Sequence, residues 1–160
     1  MGSFVFFCCA CRCRVLEAWF EQERIMASKN LDILVVDDQE PVRVLLSRIL
    51  ENLGFSHDLA INGRDCLAKL HAKNYHVIIL DLILPDIDGK TLLHHMRLNF
   101  PQAQVIICSS LDDQDLIEQH LAMGASAFIV KPFDADEIKS VIASLHNDGP
   151  EDLNQNPAIV

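Results

Sequence analysis

The chain has 160 residues, 50% of them hydrophobic and 22% charged, with 13 Lys and Arg against 23 Asp and Glu and a formal net charge of −10. That length and balance fit one globular domain able to fold without disulfides or a structural metal, and exclude collagenous, mucin-like and wholly disordered classes. So acidic a chain gains nothing from counterion release on nucleic acid and is repelled by anionic lipid, so neither is an expected direct partner.

Residues 1–28 read as an appendage. Four of the six cysteines (Cys8, Cys9, Cys11 and Cys13) crowd its start, beside the apolar run that begins at Phe4 and stops at Arg12. The run is far shorter than the roughly 20 residues that a membrane-spanning helix needs. No basic segment precedes it and no small-residue cleavage site follows, so a signal peptide is not expected. Gly2 lacks the hydroxyl residue that N-myristoylation wants four positions on, where Phe6 stands. S-palmitoylation of the cysteines stays open, and zinc fits poorly without paired C-x-x-C spacing or a histidine. The expectation is a segment without a role, either disordered or upstream of a functional start at Met26. Only Cys66 and Cys108 remain in the body, which is usage suited to a reducing compartment and predicts a cytoplasmic protein.

From residue 29 to 146 short apolar runs alternate with helical patterns. The runs are Ile33–Val36, His57–Ile61, Val77–Leu80, Val105–Cys108 and Ala125–Val130, short and mostly β-branched, as strands buried on both faces of a parallel sheet are. After the first run, Val42, Leu45, Leu46, Ile49, Leu50 and Leu53 recur at helical spacing, with Pro41 in the first turn and Gly54 as the stop. Helices with weaker patterns are predicted over 63–73 and 89–98. Leu116, Ile117 and Leu121, closed by Gly124, mark a fourth. Ile138, Val141, Ile142 and Leu145 mark a fifth, opened by the capping-box pair Asp134 and Glu137. Five β-α units in this length predict an α/β doubly wound domain with a five-stranded parallel sheet and helices on both faces. Residues 147–160 are polar and aperiodic and are expected to form a disordered acidic tail.

In such a sheet, ligands bind beyond the carboxyl ends of the strands. The first strand ends in Asp37-Asp38, the third in Asp81, the fourth in Ser109-Ser110 and the fifth in Lys131-Pro132. Taken singly, each Asp would serve as a turn or cap residue. Together they put three carboxylates, a hydroxyl and an ammonium at one edge, where like charges repel unless a divalent cation sits among them. Oxygen-only ligands favour Mg²⁺, which accepts further oxygens from a phosphoryl group. An Asp nucleophile would then form an acyl phosphate, with Lys131 and Ser109 on the transferred oxygens. The seven histidines show no metal spacing and are expected in surface or packing roles.

These residues resemble the receiver domains of two-component response regulators. The resemblance is carried by Val35-Val-Asp-Asp38, Asp81-Leu-Ile-Leu-Pro-Asp-Ile-Asp-Gly89, Ser109 and Phe128-Ile-Val-Lys-Pro-Phe133, and it spans about residues 31–146. It implies a flavodoxin-like strand order of 2-1-3-4-5. It also implies that Asp81 takes a phosphoryl group from the histidine of a sensor kinase or phosphotransfer protein. Mg²⁺ would be held by Asp37, Asp38, Asp81 and the Ile83 carbonyl, and Lys131 would precede a cis proline. Ser109 would swing toward the phosphate with Phe128 turning inward behind it. The change would be read by a downstream protein at the face of the fourth helix, fifth strand and fifth helix, a phosphorylation-dependent dimer being one outcome. A stand-alone switching module rather than an enzyme is expected. Two alternatives remain at this stage. Mg-dependent phosphatases of the haloacid dehalogenase kind also use a strand-end Asp, but need a second Asp two residues on, where Ile83 stands. A receiver cut from a larger DNA-binding regulator is the other, although no helix-turn-helix follows.

Overall fold

The computed structural model describes residues 31–145. The predicted appendage (1–28) and acidic tail (147–160) fall outside the described residues. In chain order the elements are β1 (Asp32–Val36), α1 (Glu40–Leu53), β2 (Ser56–Ala60), α2 (Gly63–Ala72), β3 (Val77–Leu80), α3 (Gly89–Asn99), β4 (Gln104–Ser109), α4 (Gln114–Ala122), β5 (Ala127–Val130) and α5 (Ala135–Leu145).

The strands form one sheet in the order β2-β1-β3-β4-β5, every neighbouring pair parallel. Alternate strand residues point to opposite faces, so each central strand feeds two cores. Leu34, Val36, Ile78, Leu80, Val105, Ile107 and Phe128 pack with Cys66 and Leu70 of α2, Leu92, Leu93 and Met96 of α3 and Ile117 of α4. On the other face Ile33, Val35, Val77, Ile79, Ile106, Cys108 and Ile129 meet Leu46, Ile49 and Leu50 of α1 and Ile138, Val141, Ile142 and Leu145 of α5. Each fully buried Leu or Ile contributes about 2 kcal/mol by leaving water, which is why the fully buried positions of the central strands β1, β3 and β4 are apolar up to their carboxyl ends, while the polar Ser56, His57 and Asp58 fall on the edge strand β2.

The turn chemistry follows the sequence closely. Gly54 ends α1 at φ 82°, and Gly124 follows α4 at φ 98°. The capping box of α5 forms as expected. Asp134 Oδ1 accepts from the N–H groups of Asp136 and Glu137, and Glu137 accepts from the Asp134 N–H at 3.0 Å.

Three expectations are corrected. β2 runs one residue earlier than the apolar run suggested, ending at Ala60, and Ile61 stands exposed in the turn. β5 begins at Ala127, because the N–H groups of Ala125 and Ser126 are taken by the carbonyls of His120 and Val105 in the turn that leads into it. Leu45 does not belong to the buried face of α1. It is 46% exposed beside Val44, because α1 lays the Leu46, Ile49 and Leu50 stripe on the sheet, with Val42 and Leu53 partly buried at its margins, and Leu45 lies about 100° round the helix from Leu46.

Candidate functional site

A parallel sheet brings all of its strand ends to one edge, and the polar residues that terminate the apolar runs converge there. Asp37 and Asp81 end β1 and β3, which are neighbours in the sheet, and both are buried, at 2% and 3% exposure. The main chain fixes their approach: the Asp37 N–H donates to Ala60 O and the Asp81 N–H to Val36 O. Each carboxylate also accepts a local backbone donor. Gln39 N–H reaches Asp37 Oδ1 at 2.8 Å, and Ile83 N–H reaches Asp81 Oδ1 at 3.0 Å.

Lys131 joins the two. Its Nζ lies 2.6 Å from Asp37 Oδ2 and 2.6 Å from Asp81 Oδ2. The lysine follows β5, whose register puts Val130 beside Ser109, and its N–H donates to the Ser109 carbonyl at 2.8 Å. The Lys131–Pro132 peptide is cis. Ser109 is fully buried, with Leu111 N–H donating to its hydroxyl at 3.4 Å. Asp38 lies exposed, and its carboxylate completes with Asp37 and Asp81 a group whose ligand atoms all fall within 4.8 Å of one another.

The charges do not balance: one ammonium faces three carboxylates. Burial pushes Asp37 above the usual carboxylate range, although Lys131 and the Gln39 N–H pull the other way. Burial also opposes the charge of Lys131, but Asp37 and Asp81 outweigh it and hold the ammonium above its ordinary value. The donor set is oxygen-only, two-thirds buried and short of positive charge, which is the chemistry that suits a hard divalent cation such as Mg²⁺.

Phe128 is buried with its ring turned into the α2, α3 and α4 core. The ring centroid lies 6.3 Å from that of His120, a buried histidine of α4 whose Nδ1–H donates to Leu116 O at 2.6 Å. So Phe128 occupies the inward position here, packed against a residue that the sequence offered only as one of seven histidines. Cys66 and Cys108 are buried core thiols, each pushed up to about 12, first of all by burial.

Sequence reasoning placed Asp37, Asp38, Asp81 and Lys131 together, and the structure brings all four into one pocket. It missed Arg43, whose guanidinium donates to the Asp37 carbonyl at 2.8 Å. The residue sits on the turn of α1 after Asp38 and carries no spacing signal of its own. It also gave no role to Asp86 in the loop after Asp81. Its carboxylate accepts from Gly63, Arg64 and Ile87 N–H groups at 2.8 to 2.9 Å. Mild desolvation works against that charge, but the three donors prevail and hold the carboxyl below its usual range.

Residues 33–143 match the family model of the response regulator receiver domain. The chain is 32% identical over 113 residues to the sporulation initiation phosphotransferase F of Bacillus subtilis, spanning 71% of this chain and 91% of that protein. It is 33% identical over 111 residues to the chemotaxis protein CheY of the same organism, spanning 69% and 92%. Among solved structures it resembles the CheX-CheY-BeF3-Mg+2 complex of Borrelia burgdorferi, with a TM-score of 0.67 and 31% identity over 72% of this chain and 88% of that one.

Proposed function

The chain belongs to the response regulator receiver domain family, and from that membership we propose that Asp81 is the residue that takes the phosphoryl group, from a phosphohistidine of a sensor kinase or phosphotransfer protein. The observation that carries the assignment is the pairing of one buried lysine with Asp81 and Asp37 at the carboxyl edge of the sheet. Among the described residues Asp37 and Asp81 are the buried carboxylates bound to an ammonium and placed beside two further acids, and of the two the receiver resemblance points to Asp81.

In this reading an oxygen of Asp81 attacks phosphorus, the bond from phosphorus to the imidazole nitrogen breaks, and the neutral imidazole leaves after taking up a proton. Asp37, Asp38, Asp81 and the Ile83 carbonyl would hold Mg²⁺, which when bound supplies positive charge against the incoming phosphoryl oxygens. Lys131 moves its ammonium from a shared contact with two carboxylates to one that includes the phosphoryl group. Ser109, in the adjacent strand, offers its hydroxyl to a phosphoryl oxygen, and the inward Phe128 follows as the packed partner of that movement. The surface made by α4, β5 and α5 then changes its fit to a downstream protein, or to a second copy of the chain. The setting is the cytoplasm, where the two buried thiols stay reduced.

The test uses the full chain with Mg²⁺ and a small acyl-phosphate donor. Intact mass is expected to rise by about 80 Da, metal chelation to abolish the increase, and reductive peptide mapping to place it on Asp81. An unlabelled chain, or a label on another residue, overturns the assignment.

One residue beside the acceptor sets the lifetime of the product. Ile83 is 57% exposed, and its backbone N–H already binds Asp81. A branched apolar side chain there shields the acyl phosphate and offers no hydrogen bond to an attacking water. Ile83→Asn is expected to shorten the phosphoryl half-life about fivefold or more, as a polar side chain that orients water contributes at least a modest general-catalysis factor. Decay of the labelled species, followed by mass after donor removal, checks this; an unchanged or longer half-life sinks it.

A further inference from the structure

We propose that Asp86 is a positioning residue for the phosphoryl-accepting loop, its carboxylate tying the β3–α3 loop to the first turn of α2 and so setting the geometry in which Asp81 and the Ile83 carbonyl meet a divalent cation. The inference rests on the reading of Asp81 as acceptor.

The loop between β3 and α3 runs from Asp81 to Asp88 and carries two of the groups assigned to the metal. Its ends are anchored by main-chain bonds, Asp81 N–H to Val36 O of β1 and Gly89 N–H to Leu82 O within the loop. Its crest is not buried, since Ile83, Pro85 and Asp86 all face solvent. Among the described residues, the hydrogen bonds that reach from this crest to another element are those of Asp86. Oδ1 accepts from Gly63 N–H at 2.8 Å and Oδ2 from Arg64 N–H at 2.9 Å, while Oδ1 also accepts from Ile87 N–H at 2.9 Å, which stiffens the loop itself.

The partner end is suited to the role. A helix leaves its first N–H groups without intrahelical acceptors, and the N-cap of α2, Asn62, satisfies only the Asp65 N–H at 2.9 Å. Asp86 takes the two donors that Asn62 leaves, and its negative charge meets the positive end of a ten-residue helix. The approach also needs Gly63. A Cβ there would lie 2.8 Å from Ile87 Cβ and 3.2 Å from Asp86 Oδ1, so any side chain at position 63 pushes the loop away. The sequence thus places a glycine on α2 and an aspartate on the acceptor loop, 23 residues apart, to make one joint. Asp86 forms no bond to the pocket side chains and acts through the loop backbone.

The experiment compares wild type, Asp86→Ala and Asp86→Asn by calorimetric titration with Mg²⁺ alone, with the thermal midpoint and the acyl-phosphate labelling rate measured on the same samples. Asp86→Ala is expected to weaken Mg²⁺ binding about tenfold, in the range seen when groups that orient metal ligands are removed. Labelling should recover most of its rate at saturating Mg²⁺. Asp86→Asn should fall between, because its amide oxygen still accepts from Gly63 and Ile87 while its NH₂ cannot accept from Arg64. A lowered thermal midpoint with unchanged Mg²⁺ affinity in both variants overturns the proposal and leaves Asp86 a structural tie. Should the alanine variant fail to fold, the asparagine variant decides by the same affinity. A wild type that neither binds Mg²⁺ nor takes the label overturns instead the acceptor reading beneath it.

Discussion

Asp81→Asn is expected to take up no phosphoryl group and, in the absence of Mg²⁺, to unfold at a higher temperature than wild type. Both effects come from one charge. The amide has no nucleophilic oxygen anion, so labelling by an acyl phosphate should fall to background, whatever the donor concentration. In the parent chain Lys131 is shared between two buried carboxylates, 2.6 Å from each. Asp38 adds a third negative charge, all within 4.8 Å. Neutralising Asp81 leaves Lys131 and Asp37 as a one-to-one pair, while the carbonyl oxygen of the introduced amide can still accept from the ammonium. Relief of the uncompensated buried charge should exceed the weakened hydrogen bond, by about 1 kcal/mol or more. The same relief should cost Mg²⁺ affinity, since a cation held as proposed would lose both a ligand and the repulsion that favours its binding. Thermal unfolding with and without Mg²⁺ checks this: wild type should gain markedly more from the ion than the variant. A variant less stable than wild type without Mg²⁺ would show that the Lys131 hydrogen bond, not the repulsion, dominates the pocket.

Gly89→Ala is expected to lose about 3 kcal/mol of stability, near the top of the usual range for overpacking, and with it most of the labelling rate. Helix propensity alone argues the other way, because Ala gains about 1 kcal/mol over Gly within a helix. Sterics decide the sign. A Cβ at position 89 would lie 2.4 Å from Leu82 Cα, 2.7 Å from Leu82 O and 2.9 Å from Leu82 C. All three are backbone atoms, and the Leu82 side chain is itself buried in the core, so nothing flexible can yield. The chain must open at the Gly89 N–H bond to Leu82 O, and Ile83 follows Leu82 directly. A fall in thermal midpoint of roughly 10 °C is expected, with a matching loss of Mg²⁺ affinity. Gly124→Ala makes a useful contrast. Its new Cβ would meet the flexible stem of Arg97 at 2.8 Å, and the cost there comes mainly from the φ of 98°. A Gly89→Ala variant as stable as wild type would mean that the loop around Leu82 rearranges freely.

Much of the fold was legible because it rests on local period. The runs Ile33–Val36 and Val77–Leu80 are apolar at every position, and strands covered on both faces have no other composition available. Helix ends were equally plain, since Gly54, Gly124 and the Asp134–Glu137 pair act within one turn of the chain. Leu45 misled because a periodic stripe states what can be buried, not how wide a contact the neighbouring sheet and helix provide. The candidate site was legible in its acids and its lysine, because each stands where an apolar run stops. Asp86 and Arg43 were not, because their partners are backbone groups, which leave no trace in residue type. Nor did the sequence reveal that His120 packs against Phe128, since a buried histidine on an amphipathic helix reads like an exposed one.

By itself, then, the sequence determined the alternation of strands and helices, the parallel sheet and the polar residues waiting at the strand ends, all of which follow from side-chain period and short-range turn chemistry. Only the tertiary structure decided which of those residues touch. Lys131 reaches Asp37 across 94 positions and Asp81 across 50. It does so because the sheet order sets β1 beside β3 and β5 beyond β4, bringing to one edge groups that no local pattern links. The shape of the β3–α3 loop, held by Gly89 against Leu82 and by Asp86 on α2, belongs to the same class. It depends on distances of closest approach between backbones, and those exist only once the layers are packed.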